Sequence, residues 1–417
     1  MARAFSRLRI WDRVGDGLPW YLAVAEDRMP AKYLIGRRIP CDIELRPATE
    51  DALWAEQARA TDRFLEAWSA IRRGELRLSQ MPPACPSLVD LTAELVSRML
   101  GHCTFCRWTC RVDRTAGVKR GTCQLKADSC VSSYFAHRGE ELIFRGTHGS
   151  GTVFFTSCNM RCQFCQNADI SHDKENGVAV NPQEVAAMAW QLRKEGCHNI
   201  NWVGGEPTVH LHTIVEAIRL LGRPPNPEDL AYVASVHPGA GWTFPRSAAA
   251  GVYEGEFNAP MLWNSNFFMS EATMRILRPL VDVWLPDFKF GNDKCAVFLA
   301  RTPWYWETVA RNHKLIYDWG EDLVIRHLIL PGHVECCTKR VLDWIANNTP
   351  RALVNVMDQY RPEYACDPFS PAYDERYRAL SRRPDTEEIR KAYAYARNLG
   401  LRFEELSYEN NVTGLRA

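Results

Sequence analysis

Hydrophobic and polar positions divide this chain into a helical prelude and a long stretch in which strands alternate with helices. In residues 49–73, Leu53, Ala60, Phe64, Ala67 and Ile71 recur at helical spacing, with Gln57 the one polar interruption. That stripe predicts an amphipathic helix packed on the rest of the protein. The run MPPACP at 81–86 breaks the pattern and marks a turn or linker. Further on, apolar runs at 152–156, 199–204, 260–266, 282–290, 323–330 and 352–360 read as strands. Helical patterns intervene at 181–196, 270–280, from Asp293, at 333–348 and at 385–398. The first of these has readable ends. Asn181 is the predicted N-cap, Pro182 takes the first helical position, Glu184 completes a capping box and Gly196 suits the C′ position.

Strands alternating with helices of this length imply βαβ units around a parallel sheet of about six strands, with ligands at the C-terminal strand ends. Residues 222–259 interrupt the alternation with a Gly-, Pro- and aromatic-rich excursion. Its Trp242, Phe244, Tyr253 and Phe257 suit either a substrate lid or a packed surface loop.

A chain of 417 residues suits one large catalytic domain with additions, or two to three domains. The expected division is an N-terminal extension over 1–100, a cysteine-rich module over 101–148 and a barrel over 149–417. Apolar residues make up 46%, enough for a sizeable core, yet no segment approaches the ~20-residue apolar run that spans a bilayer. Lys plus Arg exceeds Asp plus Glu by one, so no global field points to nucleic acid or an anionic membrane. The N-terminus lacks the apolar core of a secretory signal. Fifteen cysteines in such a chain argue for metal ligation in a reducing, cytoplasmic compartment.

Two cysteine groups carry that chemistry. Cys158, Cys162 and Cys165 follow the strand at 152–156, and three clustered thiolates leave one iron of a four-iron cluster free to bind another ligand. Phe164 is placed to shield such a cluster from water. A zinc knuckle would need a fourth ligand nearby, for which Asn167 and His172 are poor substitutes. Upstream, Cys103, Cys106, Cys110 and Cys123 can surround one tetrahedral ion, zinc or mononuclear iron, or hold a second four-iron cluster, with Cys130 as a spare ligand. His327, His333, Cys336 and Cys337 also attract notice. Adjacent cysteines of a regular helix point apart, however, which favours a packing role for that pair.

The spacing C-x3-C-x-aromatic-C resembles the signature of the radical S-adenosylmethionine superfamily. The ordered segments RGTHGSGTVFFTSCNMRCQFCQNADIS, VGGEPTVHLHTIVEAI, LPDFKF, VIRHLILPGHVEC and VNVMDQYRP are similar to the family of pyruvate formate-lyase activating enzyme homologues over roughly 103–400. The resemblance implies a partial (βα)6 TIM barrel and a [4Fe–4S] cluster on Cys158, Cys162 and Cys165. It implies that S-adenosylmethionine chelates the open iron and is reductively cleaved to a 5′-deoxyadenosyl radical. Gly204, Gly205, Glu206 and Pro207 would then meet the cofactor's amino group, Asn264 and Ser265 its ribose or methionine part, and Asp287, Lys289 and Arg326 its methionyl group. Met357 and Gln359 would lie near the adenine. A flavodoxin or ferredoxin would supply electrons. The substrate is expected to be a glycyl radical enzyme, or alternatively a small molecule or peptide; a non-catalytic Fe–S or zinc scaffold is the remaining class.

Overall fold

The computed structural model describes residues 9–222, 228 and 251–409. Six parallel strands form its centre, in chain and spatial order: β2 (Ser150–Phe155), β4 (Ile200–Gly204), β7 (Met261–Ser265), β8 (Val283–Pro286), β9 (Val324–Leu328) and β10 (Leu353–Met357). Single parallel bridges, Trp284 with Leu323 and Asp287 with Arg326, join β8 to β9. The barrel stays open. The free edge of β2 pairs antiparallel with β1 (Ser129–His137), itself flanked by β3 (Val178–Val180), while Leu353 of β10 bridges to Arg402. The expected partial (βα)6 barrel is therefore the observed architecture.

Helices Pro182–Lys194, Leu211–Leu220, Glu271–Leu277, Tyr305–Asp318, Lys339–Asn348 and Thr386–Asn398 alternate with these strands. Asn181 caps the first as the sequence predicts: its side chain accepts from the Glu184 amide and Glu184 returns the bond. Strands of such a sheet bury both faces, which is why they read as continuous apolar runs. Trp202, Trp263, Trp284, Ile325 and Val354 join the large core with the helices, whereas their neighbours Leu262, Val283, Leu285, Val324 and Leu353 form a separate cluster inside the barrel.

That inner cluster is completed by the N-terminal segment. Ile10, Trp11, Val14, Leu18, Tyr21 and Leu22, from helices Arg9–Val14 and Pro19–Ala25 and the turn between, pack there with Ile143 and Phe144. The Tyr21 amide donates to Asp322 (2.7 Å), just before β9, and its hydroxyl accepts from Asn199 (2.9 Å), just before β4. The segment from Ile10 to Leu22 thus floors the barrel at its N-terminal end. The expected helix is Glu50–Arg72, capped by Thr49, with Leu53, Ala60, Phe64 and Ile71 buried. Gln57 is buried too and donates to the Arg275 carbonyl (3.2 Å), so the polar interruption is a contact and not an exposed face. Leu88–Leu100 packs between this helix and Leu211–Leu220, so one core runs across the expected boundary near residue 100.

Most of the 222–259 excursion, including Trp242 and Phe244, lies outside the described residues. Tyr253 and Phe257 sit on a hairpin, β5 (Val252–Tyr253) and β6 (Glu256–Phe257). Phe257 packs edge-on against Trp190, and the adjoining Gly251 amide donates to Asp27 (2.8 Å). This places both aromatics just ahead of β7, at the barrel's N-terminal end. A lid role for these two is therefore corrected: they are packed against the end opposite the strand termini where ligands of such sheets bind.

Candidate cluster and cofactor site

β2 delivers its C-terminal end to a loop that carries Cys158, Cys162 and Cys165. Helix Asp293–Ala300 holds this loop by backbone bonds, Arg161 N–H to Ala300 O (3.0 Å) and Gln163 N–H to Leu299 O (2.8 Å). The Arg161 guanidinium ties it further, to Cys158 O (3.1 Å) and Thr122 O (2.8 Å). Polar hydrogens are aimed at the sulfurs: the Met160 amide (3.3 Å) and Asn266 Nδ2 (3.5 Å) reach Cys158 Sγ, and the Ser171 hydroxyl lies 3.1 Å from Cys165 Sγ. Phe164 is buried between Phe290 and Tyr360 and closes one side to water. Burial pushes the thiols up, Cys162 to about 12, with the Lys289 ammonium pulling the other way on Cys162 and Cys165. Such thiols ionise when a metal takes the place of the proton.

The ends of β4 and β7 meet this loop. Gly204 has φ +128°, and a Cβ there would stand 2.2 Å from the Phe155 backbone; one on Gly205 would stand 1.9 Å from Ser157 O. Only glycine allows that approach, and the Gly205 amide uses it to donate to Phe155 O (2.8 Å). Glu206 is fully buried and accepts from Thr208 N–H (3.1 Å) and Oγ1 (2.5 Å), Ser265 Oγ (2.7 Å) and Asn266 N–H (2.9 Å). Burial raises its carboxyl despite these donors. Pro207 opens the short turn Pro207–His210 behind it. Glu206 and Ser265 therefore bind each other, locking β4 to β7 beside Cys158.

Asp287, Lys289 and Arg326 converge as one network. Lys289 Nζ and Arg326 Nε (3.1 Å) both pair with Asp287, and Arg326 reaches Glu140 (3.4 Å) and the side-chain oxygen of Asn264. Glu140 also accepts from Asn201 (2.7 Å) and Asn264 (3.3 Å), while its neighbour Glu141 accepts from Asn355 (2.9 Å). Burial raises Glu140, yet His137 and Arg326 more than offset it and hold the carboxyl low; burial and the Glu140 charge push Glu141 up. Sequence reasoning missed Glu140, Glu141, Asn201 and Asn355. Their one signal was the acidic pair in RGEEL, which reads as an exposed loop until the barrel folds round it. Gln359, after β10, faces the cluster loop through a bond from Gln166 to its carbonyl (3.4 Å), and Met357 is half-buried.

Cys103, Cys106, Cys110 and Cys123 line one cavity with Phe105 and Arg114. Their module is bonded straight onto the cluster loop: Ser157 Oγ donates to Cys123 O (2.5 Å) and Trp108 Nε1 to Asn159 O (2.7 Å). Among the described residues, one group of three or more Cys, His, Asp or Glu side chains brings its ligand atoms within 4.8 Å of one another, and it is neither of these cysteine groups. Both sets are thus too widely spaced to share a single ion as they stand. For the triad, the polar groups beside Cys158 and Cys165 sulfur suit thiolates that ligate an iron–sulfur cluster. Cys130 lies apart on β1.

Residues 152–345 match the radical SAM superfamily. An uncharacterized protein, MJ0674, of Methanocaldococcus jannaschii is 33% identical over 387 residues, covering 91% of this chain and 97% of that protein. Among solved structures, Streptococcus suis SuiB, and SuiB bound to S-adenosylmethionine, each align at a TM-score of 0.37 and 12% identity. Those alignments cover 58% of this chain and less than half of SuiB, 44% and 45%. No helix among the described residues is long and apolar enough to cross a membrane. With the family match spanning the barrel strands and the cysteine loop they deliver, and a relative alike over nearly its whole length, this chain belongs to the radical S-adenosylmethionine superfamily.

Proposed function

We propose that Cys158, Cys162 and Cys165 hold a [4Fe–4S] cluster and that the enzyme uses S-adenosylmethionine there to abstract hydrogen from a substrate. When bound, the reduced cluster supplies the electron that splits the sulfonium into methionine and a 5′-deoxyadenosyl radical. The observation that carries the reading is the triad on one strand-delivered loop, with Asn266 and Ser171 aimed at sulfur and the Lys289 charge felt by two of the thiols. In this role the loop bonds to Ala300 and Leu299 keep the thiols in register, and Phe164 excludes water from one side. In this reading Lys289, which pairs with Asp287 in the fold, would exchange that partner for the cofactor carboxylate. Gly204 and Gly205 let the end of β4 close on Phe155 and Ser157, beside the cysteine loop, and Asn264 bonds to Glu140 within the Arg326 network.

The proposal extends to the cysteine module, where Cys103, Cys106, Cys110 and Cys123 would hold a second iron–sulfur cluster, since their sulfurs share a cavity but not a single-ion spacing. A flavodoxin or ferredoxin would deliver electrons. The motif order resembling activating-enzyme homologues makes a glycyl radical enzyme the proposed hydrogen donor. In that step the Cα–H bond of a glycine breaks, 5′-deoxyadenosine forms, and the unpaired electron stays on the glycine.

The test is anaerobic reconstitution, incubation with S-adenosylmethionine and dithionite, and mass-spectrometric assay of 5′-deoxyadenosine. The parent protein should form it and the triple Cys158→Ala, Cys162→Ala, Cys165→Ala variant should not. Equal yields from the two proteins would refute the assignment.

A further inference from the structure

A third cysteine group, away from both sets above, has the geometry of a closed metal site. Cys295 lies in the first turn of helix Asp293–Ala300, after β8; His333, Cys336 and Cys337 lie just after β9. The sequence offers no hint that they meet, since 38 residues separate Cys295 from His333. In the fold their ligand atoms all fall within 4.8 Å of one another. Cys295 Sγ is 3.8 Å from Cys336 Sγ and 3.7 Å from His333 Nδ1. His333 Nδ1 is 3.2 Å from Cys336 Sγ and 3.9 Å from Cys337 Sγ, and the adjacent sulfurs are 4.0 Å apart. A tetrahedral zinc with Zn–S of about 2.3 Å and Zn–N of about 2.0–2.1 Å requires edges of about 3.8 Å between sulfurs and about 3.6 Å between sulfur and nitrogen. The three sulfur–nitrogen edges bracket their value, the two sulfur–sulfur edges equal theirs or exceed it slightly, and the remaining Cys295–Cys337 edge lies within 4.8 Å.

The backbone explains how two consecutive cysteines reach one point. Val334–Thr338 is a π turn, not the regular helix expected from the sequence, and the extra residue per turn narrows the angle between Cys336 and Cys337. Gly291 permits the β8 loop to close on that turn: a Cβ there would stand 2.5 Å from Cys336 O and 2.8 Å from Cys337 Cα. Asn292 then fixes the turn, donating to Cys336 O (2.9 Å). His327, by contrast, is satisfied elsewhere, by Phe288 O and Thr338 Oγ1.

We propose that Cys295, His333, Cys336 and Cys337 bind one zinc ion as a structural site. Three thiolates and an imidazole fill the tetrahedron and leave no position for substrate. Its place gives it a purpose. The ion pins the start of helix Asp293–Ala300, whose other end carries the cluster loop through Ala300 and Leu299.

The experiment is metal analysis of anaerobically purified full-length protein grown with zinc and iron. The parent should hold about one zinc per chain, and X-ray absorption at the zinc edge should show a three-sulfur, one-nitrogen shell. Cys295→Ser and Cys336→Ser should each lose most of that zinc and keep their iron. A four-sulfur shell, or zinc lost from Cys106→Ala and retained in Cys336→Ser, would place the ion in the other module and overturn the proposal. So would absence of zinc from the parent, or a Cys295–Cys336 disulfide in its unreduced peptide map. The absorption measurement uses the parent alone, so misfolding of a variant does not blunt the test.

Discussion

Replacing Arg326 with alanine should unfold this protein more readily before it says anything about cofactor affinity. The guanidinium lies 3.1 Å from Asp287 and 3.4 Å from Glu140, and all three side chains are at most 16% exposed. Removing one partner of a buried ion pair costs about 3–5 kcal/mol, because the remaining charge is left uncompensated. Lys289 still faces Asp287, and Asn201 still donates to Glu140, so the lower end of that range, about 3 kcal/mol, is expected. Anaerobic urea unfolding at pH 7.5, followed by tryptophan fluorescence, measures it, with iron content recorded in parallel. In a double-mutant cycle with Glu140→Gln the two substitutions should couple by about 1–3 kcal/mol. The sign with pH is also fixed. Without Arg326, Glu140 loses the charge that holds its carboxyl low and takes up a proton more easily, so the deficit of the variant should shrink as pH falls. A variant within about 1 kcal/mol of the parent, with no coupling to Glu140, would refute the clamp.

Lys289→Ala should weaken S-adenosylmethionine binding roughly ten- to a hundredfold by anaerobic calorimetry with iron unchanged, the loss of a charge-assisted bond of ~1.5–3 kcal/mol; unaltered affinity would exclude it as the carboxylate partner. Gly205→Ala, whose Cβ would stand 1.9 Å from Ser157 O, should deplete cluster iron while helix content by circular dichroism persists; full iron retention would show the approach to be dispensable. Cys106→Ala should lower both melting temperature and iron, by about half, if its module holds a second four-iron cluster. Burial depresses His198, His210 and His212 to about 3 and His313 and His327 to about 4, so the unfolded chain takes up protons below about 6.5 and stability falls with pH in that window. Asp282 and Asp322, raised by burial to about 6 and about 7, bind protons in the fold and oppose this in part. The urea midpoint should therefore be lower at pH 5.5 than at pH 7, and a higher one would reverse the argument.

What the sequence determined by itself is whatever is encoded within a few residues. The parallel strands were legible because a strand buried on both faces is apolar throughout, and the Asn181 cap because its bonds close over three residues. The Cys158–Cys165 loop was legible because its ligands are one local spacing. Tertiary structure alone decided the rest. Tyr21, Ile10 and Trp11 became a barrel floor only because β4 and β9 start beside them, and the acidic pair Glu140–Glu141 became an interior network only once Arg326 arrived from 185 or more residues away. Ser265 reads as a free hydroxyl in the chain and is held by Glu206 in the fold. Cys336 and Cys337 read as divergent, because helical geometry was assumed where a π turn stands; Cys295 joins them across two βα units. Local periodicity states which face of an element is buried, but which side chains from distant elements share that burial depends on how the strands close and how each loop is forced to turn.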